Sequence, residues 1–184
     1  VPFTYIRNSD IDDPSFSRGV IDFIKVCNVV KTFKNTRILQ IGTRPFDFWS
    51  VIVNEGELLE KFGIQLSPIP LGELTSYMYK LIDEKDPRLE ETKDVYRKWA
   101  DIKIKDEDFT KVAALKLAMQ DKMREYGCNA GTIQCWTELQ REIGILPYAS
   151  ETLLQTEGMP VTCETDINGA ISEILAESAT LGNE

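Results

Sequence analysis

A net charge of −9 over 184 residues argues against nucleic acid and anionic membrane surfaces as partners, since neutralising phosphates needs a basic surface. Apolar residues at 42% and charged residues at 28% describe one soluble globular domain with a real core, and no apolar run reaches transmembrane length. The chain contains no His, so Ser-His-Asp or Cys-His catalysis and His-ligated metals are excluded within it, and acid–base chemistry falls to carboxylates, Lys, Tyr or Cys.

Residues 1–14 read as a connector, with turn signals at Asn8-Ser9-Asp10 and Asp12-Asp13-Pro14. Val1-Pro2-Phe3-Thr4 lacks the basic and apolar regions of a signal peptide, so a cytoplasmic location is expected. With no initiator Met, the chain is expected to be a piece of a longer protein. A helix is predicted from Ser15 to Lys34-Asn35, with Phe16, Val20, Phe23, Ile24, Cys27, Val30 and Phe33 as its apolar stripe. A first strand is predicted over 36–42, followed by the loop Gly42-Thr43-Arg44-Pro45. One Gly after a strand is far from a phosphate-binding loop, so nucleotide binding is rejected. Phe46 to Gly63 reads as mostly helical, with Trp49, Ile52, Val53, Leu58, Leu59 and Phe62 inward and Gly63 as a left-handed C-cap.

The second predicted strand, 64–69, carries Pro68, which suits an edge or an early end. Helices follow from Leu71 to Asp83 and from Asp86-Pro87 onward. The mixed charges of 84–111 read as a solvated face. Asp106 to Tyr126 is the longest predicted helix, with methionines as core fillers and Gly127 as its end. A third strand is expected over 129–135, then Trp136, Glu138 and a short helix to Gly144. Pro147 to Glu157 returns through another helix to a fourth strand over 160–164. The four cysteines, Cys27, Cys128, Cys135 and Cys163, form no C-x-x-C and lie mostly in apolar stretches, so they read as reduced core residues. Alternating helices and strands predict a parallel sheet covered on both faces.

The last strand runs into a helix through Glu164-Thr165-Asp166. Asp166 can cap that helix, whose apolar stripe is Ile167, Ala170, Ile171, Ile174 and Leu175. Both carboxylates fall where a parallel strand ends, the edge at which open α/β sheets bind ligands. Spacing alone supports only a cap and a solvated loop residue.

Leu153 to Ala170 (Leu-Leu-Gln-Thr-Glu-Gly-Met-Pro-Val-Thr-Cys-Glu-Thr-Asp-Ile-Asn-Gly-Ala) resembles a signature of the L-fucose/L-arabinose isomerase family. Two further blocks match in the family's order. One is Arg37-Ile-Leu-Gln-Ile-Gly-Thr-Arg-Pro-Phe-Asp-Phe, with Asn54-Glu55 and Leu58 to Ile64 after it; the other is Gly131-Thr-Ile-Gln-Cys-Trp136. The resemblance runs from about Ser15 to the C-terminus. It implies a three-layer α/β/α fold with a four-stranded parallel sheet of order 2-1-3-4. It makes residues 15–184 the middle domain of a longer isomerase-like protein.

The activity implied is metal-dependent interconversion of aldoses and ketoses through an enediol. It uses Mn²⁺ or another divalent metal, a small-molecule sugar and a homo-oligomer. By the same resemblance the metal ligands are Glu151, just before the Leu-Leu pair, and Asp166, with Glu164 in reserve. Glu151 and Asp166 also serve the proton relay, while Gln134, Trp136 and Arg44 line the sugar site. A His ligand is implied on the domain that follows, so this chain alone is expected not to turn over sugar. The alternative is a sugar-binding or regulatory α/β module without chemistry. A receiver or flavodoxin-like domain fits poorly, because the first strand ends in Gly-Thr-Arg-Pro, without an acidic cluster or a Ser/Thr-rich phosphate loop.

Overall fold

A computed structural model describes residues 3–7 and 9–182. The β-branched and leucine-rich runs form four strands, β1 (Arg37–Ile41), β2 (Gln65–Ile69), β3 (Ala130–Ile133) and β4 (Val161–Cys163). They are parallel and ordered β2-β1-β3-β4. Parallel neighbours need a crossover between them, and each crossover here carries helices. In register, Ile41 lies beside Ile69 and Ile133, and Ile133 beside Cys163, so all four strands end along one edge.

The helices are α1 (Pro14–Lys34), α2 (Glu55–Phe62), α3 (Leu71–Asp83), α4 (Arg88–Trp99), α5 (Asp106–Glu125), α6 (Gln140–Ile143), α7 (Tyr148–Thr156) and α8 (Ile167–Thr180). Alternate residues of a strand point to opposite faces, and in β1 Ile38 on one face and Leu39 and Ile41 on the other are all fully buried, as a central strand covered on both sides requires. Leu39 and Ile41 pack with Leu74, Met78, Leu115, Met119 and Met123 of α3 and α5. Ile38 packs with Ala130 and with Ile167, Ala170 and Ile174 of α8 on the other side. A third cluster, Tyr96, Phe109, Val112 and Leu153, joins α4, α5 and α7. The result is the expected three-layer domain.

Several local expectations are corrected. Residues 46–63 are helical in two separate pieces instead of one run: a single 3₁₀ turn covers Trp49–Val51, and α2 begins only at Glu55, where Asn54 accepts a hydrogen bond from the Glu57 N–H. Trp49, Ile52, Leu59 and Phe62, expected inside, are exposed. No side chain of α1 is buried, and Phe23, Ile24 and Val30 of its stripe are exposed, as is Cys27. At 21 residues α1 also exceeds the 20 of α5. The charged stretch from 84 is not wholly solvated, since Lys93 is 2% exposed and bonds Glu90 and Asp106 at 2.8 and 2.7 Å. The connector is shorter by one residue, because Pro14 already opens α1 behind its Asp13 cap. Of the turn expected at Asn8-Ser9-Asp10, Asn8 lies outside the described residues.

Candidate active site

The carboxyl end of β4 makes a tight turn into α8. Glu164 and Thr165 both adopt left-handed backbone, at φ 65° and 52°. For a β-branched residue such as Thr165 that conformation is an outlier, and it is held by neighbours. The Thr165 N–H donates to the Ile133 carbonyl at 3.1 Å, and its hydroxyl donates to the Glu164 carbonyl at 2.7 Å. Asp166 then caps α8, its Oδ1 accepting the Gly169 N–H at 2.9 Å. A Cβ on Gly169 would stand 2.7 Å from Asp166 Oδ2, so a glycine there makes room for the capping carboxylate.

Glu151 reaches the same edge from α7. That helix is fixed to its neighbours by buried Leu153 and Leu154, by Ser150 Oγ donating to the Val112 carbonyl at 2.9 Å, and by Tyr96 OH donating to the Ala149 carbonyl at 2.9 Å. Glu151 Oε1 accepts from the Cys163 thiol at 3.2 Å. Glu151, Glu164, Asp166 and Glu173 line one groove of about 590 Å³, with Cys163, Thr162 and Gly169 among its other walls.

Gathering carboxylates in a half-buried groove disfavours their charge. Burial pushes the Glu151 carboxyl up to about 7, against the Cys163 hydrogen bond, and the charges of Glu173 and Glu164 push the same way. Burial raises Glu164 and Glu173 as well, each with help from Asp166. Cys163 is raised by its neighbour Cys135, by burial and by Glu151, while Cys135 is lowered by Cys163. One S–H cannot serve both acceptors at once, and the bond with explicit geometry is the one to Glu151.

The sugar-site residues implied by resemblance fall elsewhere on the same edge. Gln134 Oε1 accepts from Thr43 N at 3.0 Å and from Thr43 Oγ1 at 3.3 Å, which ties the end of β3 to the loop after β1. Arg44 spends Nη1 on the carbonyls of Pro45, Phe46 and Phe48 and lies over the Trp49 ring at 5.1 Å, so it braces its own loop. Trp136 is 48% exposed, packs edge-on to Phe48, and lines a second, more apolar cavity of about 750 Å³ with Tyr148, Gln140 and Ile145. The three carboxylates named from sequence are thus together, and the three sugar-site residues are not in their groove. Sequence reading missed Cys163 and Glu173 as members. Glu173 stands seven residues after Asp166, two turns along one helix face, and that spacing was legible.

Among the described residues no three His, Cys, Asp or Glu side chains are grouped closely enough to hold a metal ion. The donors present are carboxylate oxygens, which suit hard cations such as Mn²⁺ or Mg²⁺. They fit part of a divalent site.

Fold and groove together define a small doubly wound α/β domain with a carboxylate-lined site at the ends of its parallel strands. No family model matches the chain. It is similar to proteins named sulfoquinovose isomerase: 24% identical to those of Priestia aryabhattai and Priestia megaterium over 182 residues, and 23% identical to that of Alkalicoccus urumqiensis over 181. These matches take in 98–99% of this chain but only 40% of each relative, so the chain spans well under half the length of the proteins it matches.

Proposed function

We propose that this chain is a domain of a metal-dependent sugar aldose–ketose isomerase, contributing carboxylates to a site completed by groups outside it. The observation that carries this reading is the groove at the strand ends, where Glu151, Glu164 and Asp166 converge around a strained left-handed turn. Strain of this kind costs about 1–3 kcal/mol per residue and survives where the fold or its function demands it. The similarity to proteins named sulfoquinovose isomerase supports the substrate class, a sugar, and the likeness to the L-fucose/L-arabinose family supports the reaction class. The sequence signature covers the same turn.

The residues divide by environment. Asp166 has Oδ1 committed to the cap, which leaves Oδ2 for a ligand, and among the described residues none hydrogen-bonds the Glu164 carboxylate. We assign these two to a divalent cation such as Mn²⁺, which raises Glu164 from its reserve place. Bound there, the cation would supply charge stabilisation for an enediolate's two oxygens. Glu151, held near neutrality in its proton affinity, is suited to carry a proton between neighbouring carbons, because a general base works best near the operating pH. Trp136 offers an exposed ring for a sugar face in the second cavity, while Gln134 and Arg44 brace the loop after β1. The full protein is proposed to be a cytoplasmic homo-oligomer. No helix among the described residues is long and apolar enough to cross a membrane.

The second reading, a sugar-binding module without chemistry, draws on the lack of a three-ligand cluster among the described residues. One experiment separates the two. In the full-length protein, Asp166→Asn keeps a helix cap but weakens a ligand for a hard cation, so Mn²⁺ affinity and ketose formation should fall together while thermal stability holds. Wild-type metal affinity and activity in that variant would reduce Asp166 to a cap and overturn the assignment. The purified chain by itself should form no ketose with or without Mn²⁺.

A further inference from the structure

We propose that the outer face of α1 is the surface on which a second copy of this chain docks, with the two helices running antiparallel. This deepens one part of the proposed function, the homo-oligomer, on which it rests, and it uses none of the isomerase chemistry.

Asn28 Nδ2 donates to the Ser178 carbonyl of α8 at 2.7 Å, which fixes the inward side of α1. At about 100° per residue, Phe23, Val26 and Val30 stand about 140–160° round the helix from Asn28, on the outward side. All three are about half exposed or more, and Cys27 among them is exposed as well. Nearer its amino end the same side has an apolar cover. A Cβ on Gly19 would stand 2.6 Å from Ile6 Cγ1, so the glycine makes room for Ile6, and Phe3, Tyr5 and Ile6 share a cavity of about 400 Å³ with Phe23 and Val26. This cover is itself apolar outside, with Phe3 at 83% exposure and Tyr5 at 79%. Phe3, Tyr5 and Phe23 alone leave about 400 Å² open, taking about 150–250 Å² for a whole aromatic side chain. With Ile6, Ile24, Val26 and Val30 beside them, the patch exceeds the few hundred Å² a monomer ordinarily shows and nears the roughly 800 Å² per partner of a stable complex.

Charge identifies the occupant. The whole chain carries −9, yet residues 3–34 hold five basic and four acidic side chains, so this is a nearly neutral face on an acidic protein, where two copies can approach without the repulsion found elsewhere. The charges are also sorted along the segment. Asp10, Asp12, Asp13 and Asp22 lie towards its amino end, and Lys25, Lys31 and Lys34 towards its carboxyl end. Two such helices side by side in the same sense set like ends and like dipoles together. In opposite senses, unlike ends and unlike dipoles meet. About a two-fold axis between Val26 and Cys27, Lys31 of one copy falls beside Asp22 of the other, Phe23 falls beside Val30, and the axis makes each contact twice. The apolar residues then fill the centre of the contact and the charged pairs flank it, the anatomy of a specific interface.

The test is sedimentation equilibrium of the 184-residue chain across the micromolar range, with a reductant present to keep Cys27 from cross-linking. The expected result is a concentration-dependent rise from 20.9 kDa to twice that mass. Val26→Glu with Val30→Glu should hold the chain at the monomer mass and leave its thermal unfolding unchanged, since both side chains already face water. Lys31→Glu should weaken the dimer about tenfold at low salt, and adding Asp22→Lys should restore it, because the swap rebuilds both flanking pairs. In the full-length protein the two Val substitutions should also lower the assembly's mass. A chain that stays monomeric throughout would overturn the proposal, as would a dimer that survives the Val substitutions. So would a full-length assembly whose mass they leave unchanged, which would mean that another part of the longer protein covers α1. Failure of Asp22→Lys to restore the Lys31→Glu dimer would overturn the antiparallel arrangement. No sugar or metal enters these measurements, so they fail separately from the Mn²⁺ affinity and ketose formation that test the isomerase reading.

Discussion

Glu151→Gln should make the metal-free chain more stable at pH 8 and leave it unchanged at pH 4. Glu151 ordinarily would titrate near 4.5 and is held at about 7 in the fold. Below 4.5 the carboxyl is protonated in both the folded and unfolded chains, so nothing is lost. Between 4.5 and about 7 the folded chain holds the extra proton, and stability therefore falls as pH rises through this window. Above it the group is ionised in both states, and the loss is complete. At about 1.4 kcal/mol per pH unit the gap gives an upper bound of about 3 kcal/mol, and partial exposure to solvent reduces this to about 2 kcal/mol. Gln fills nearly the same volume, and its carbonyl still accepts from Cys163. The variant should thus unfold about 4–8 °C above wild type at pH 8, with the difference closing towards pH 4. The assay is urea or thermal unfolding of both proteins at pH 4, 5, 6, 7 and 8 with a chelator present. Acid loss from other carboxylates is common to both and cancels in the difference. A difference that stays constant across this range would show that Glu151 ionises freely, and the burial argument for its proton-transfer role would fail.

Two further outcomes follow from the same edge of the sheet. Glu164→Gly relieves a left-handed non-glycine residue, so the chain should gain about 1 kcal/mol in urea unfolding while the full-length protein loses Mn²⁺ binding; a loss of stability would mean that the Glu164 side chain holds the turn. Gly42→Ala places a Cβ at φ 84° and 2.7 Å from Gln134 Oε1, so it should cost about 2–4 kcal/mol. Combining it with Gln134→Gly, which also removes the Gln134 Cβ that would stand 2.8 Å away, should recover only the steric share, and full recovery would show that backbone strain at Gly42 contributes nothing.

The sheet was legible because its signals are local. Pro68 marks β2 as an edge strand, since it cannot donate to a second neighbour, and Asp166 caps α8 in the structure as its position promised. Gly63 takes the left-handed C-cap at φ 74°. The stretch 46–63 was misread as one inward-facing helix because Trp49, Ile52, Leu59 and Phe62 fall near helical spacing, yet all four stay exposed. Periodicity reports which face is apolar and is silent on whether another element covers it. The stripe of α1 fails in the same way, with Phe23 at 57% exposure and Val30 at 47%. Mixed charge hid Lys93 for the opposite reason: Glu90 is its neighbour on α4, but its second partner Asp106 belongs to α5, and that pairing exists only after α4 and α5 pack.

The groove shows why the site's chemistry was only half readable. The sequence displays Glu164 and Asp166 side by side, and a strand end is where ligands meet an open sheet. What it hides is the convergence of α7 and the far turn of α8, which bring Glu151 and Glu173 onto the same space. That convergence alters the properties of each member, because a carboxylate among carboxylates holds its proton more tightly. Glu151, Glu164 and Glu173 are all shifted upward, so above neutral pH the bare groove stores repulsion that weakens the fold. A bound divalent cation would remove that repulsion and bring its own binding energy to the folded state. The feature that makes the groove costly to the isolated chain is thus the feature the proposed function uses, and the left-handed turn at Glu164-Thr165 is the strained backbone that holds it open.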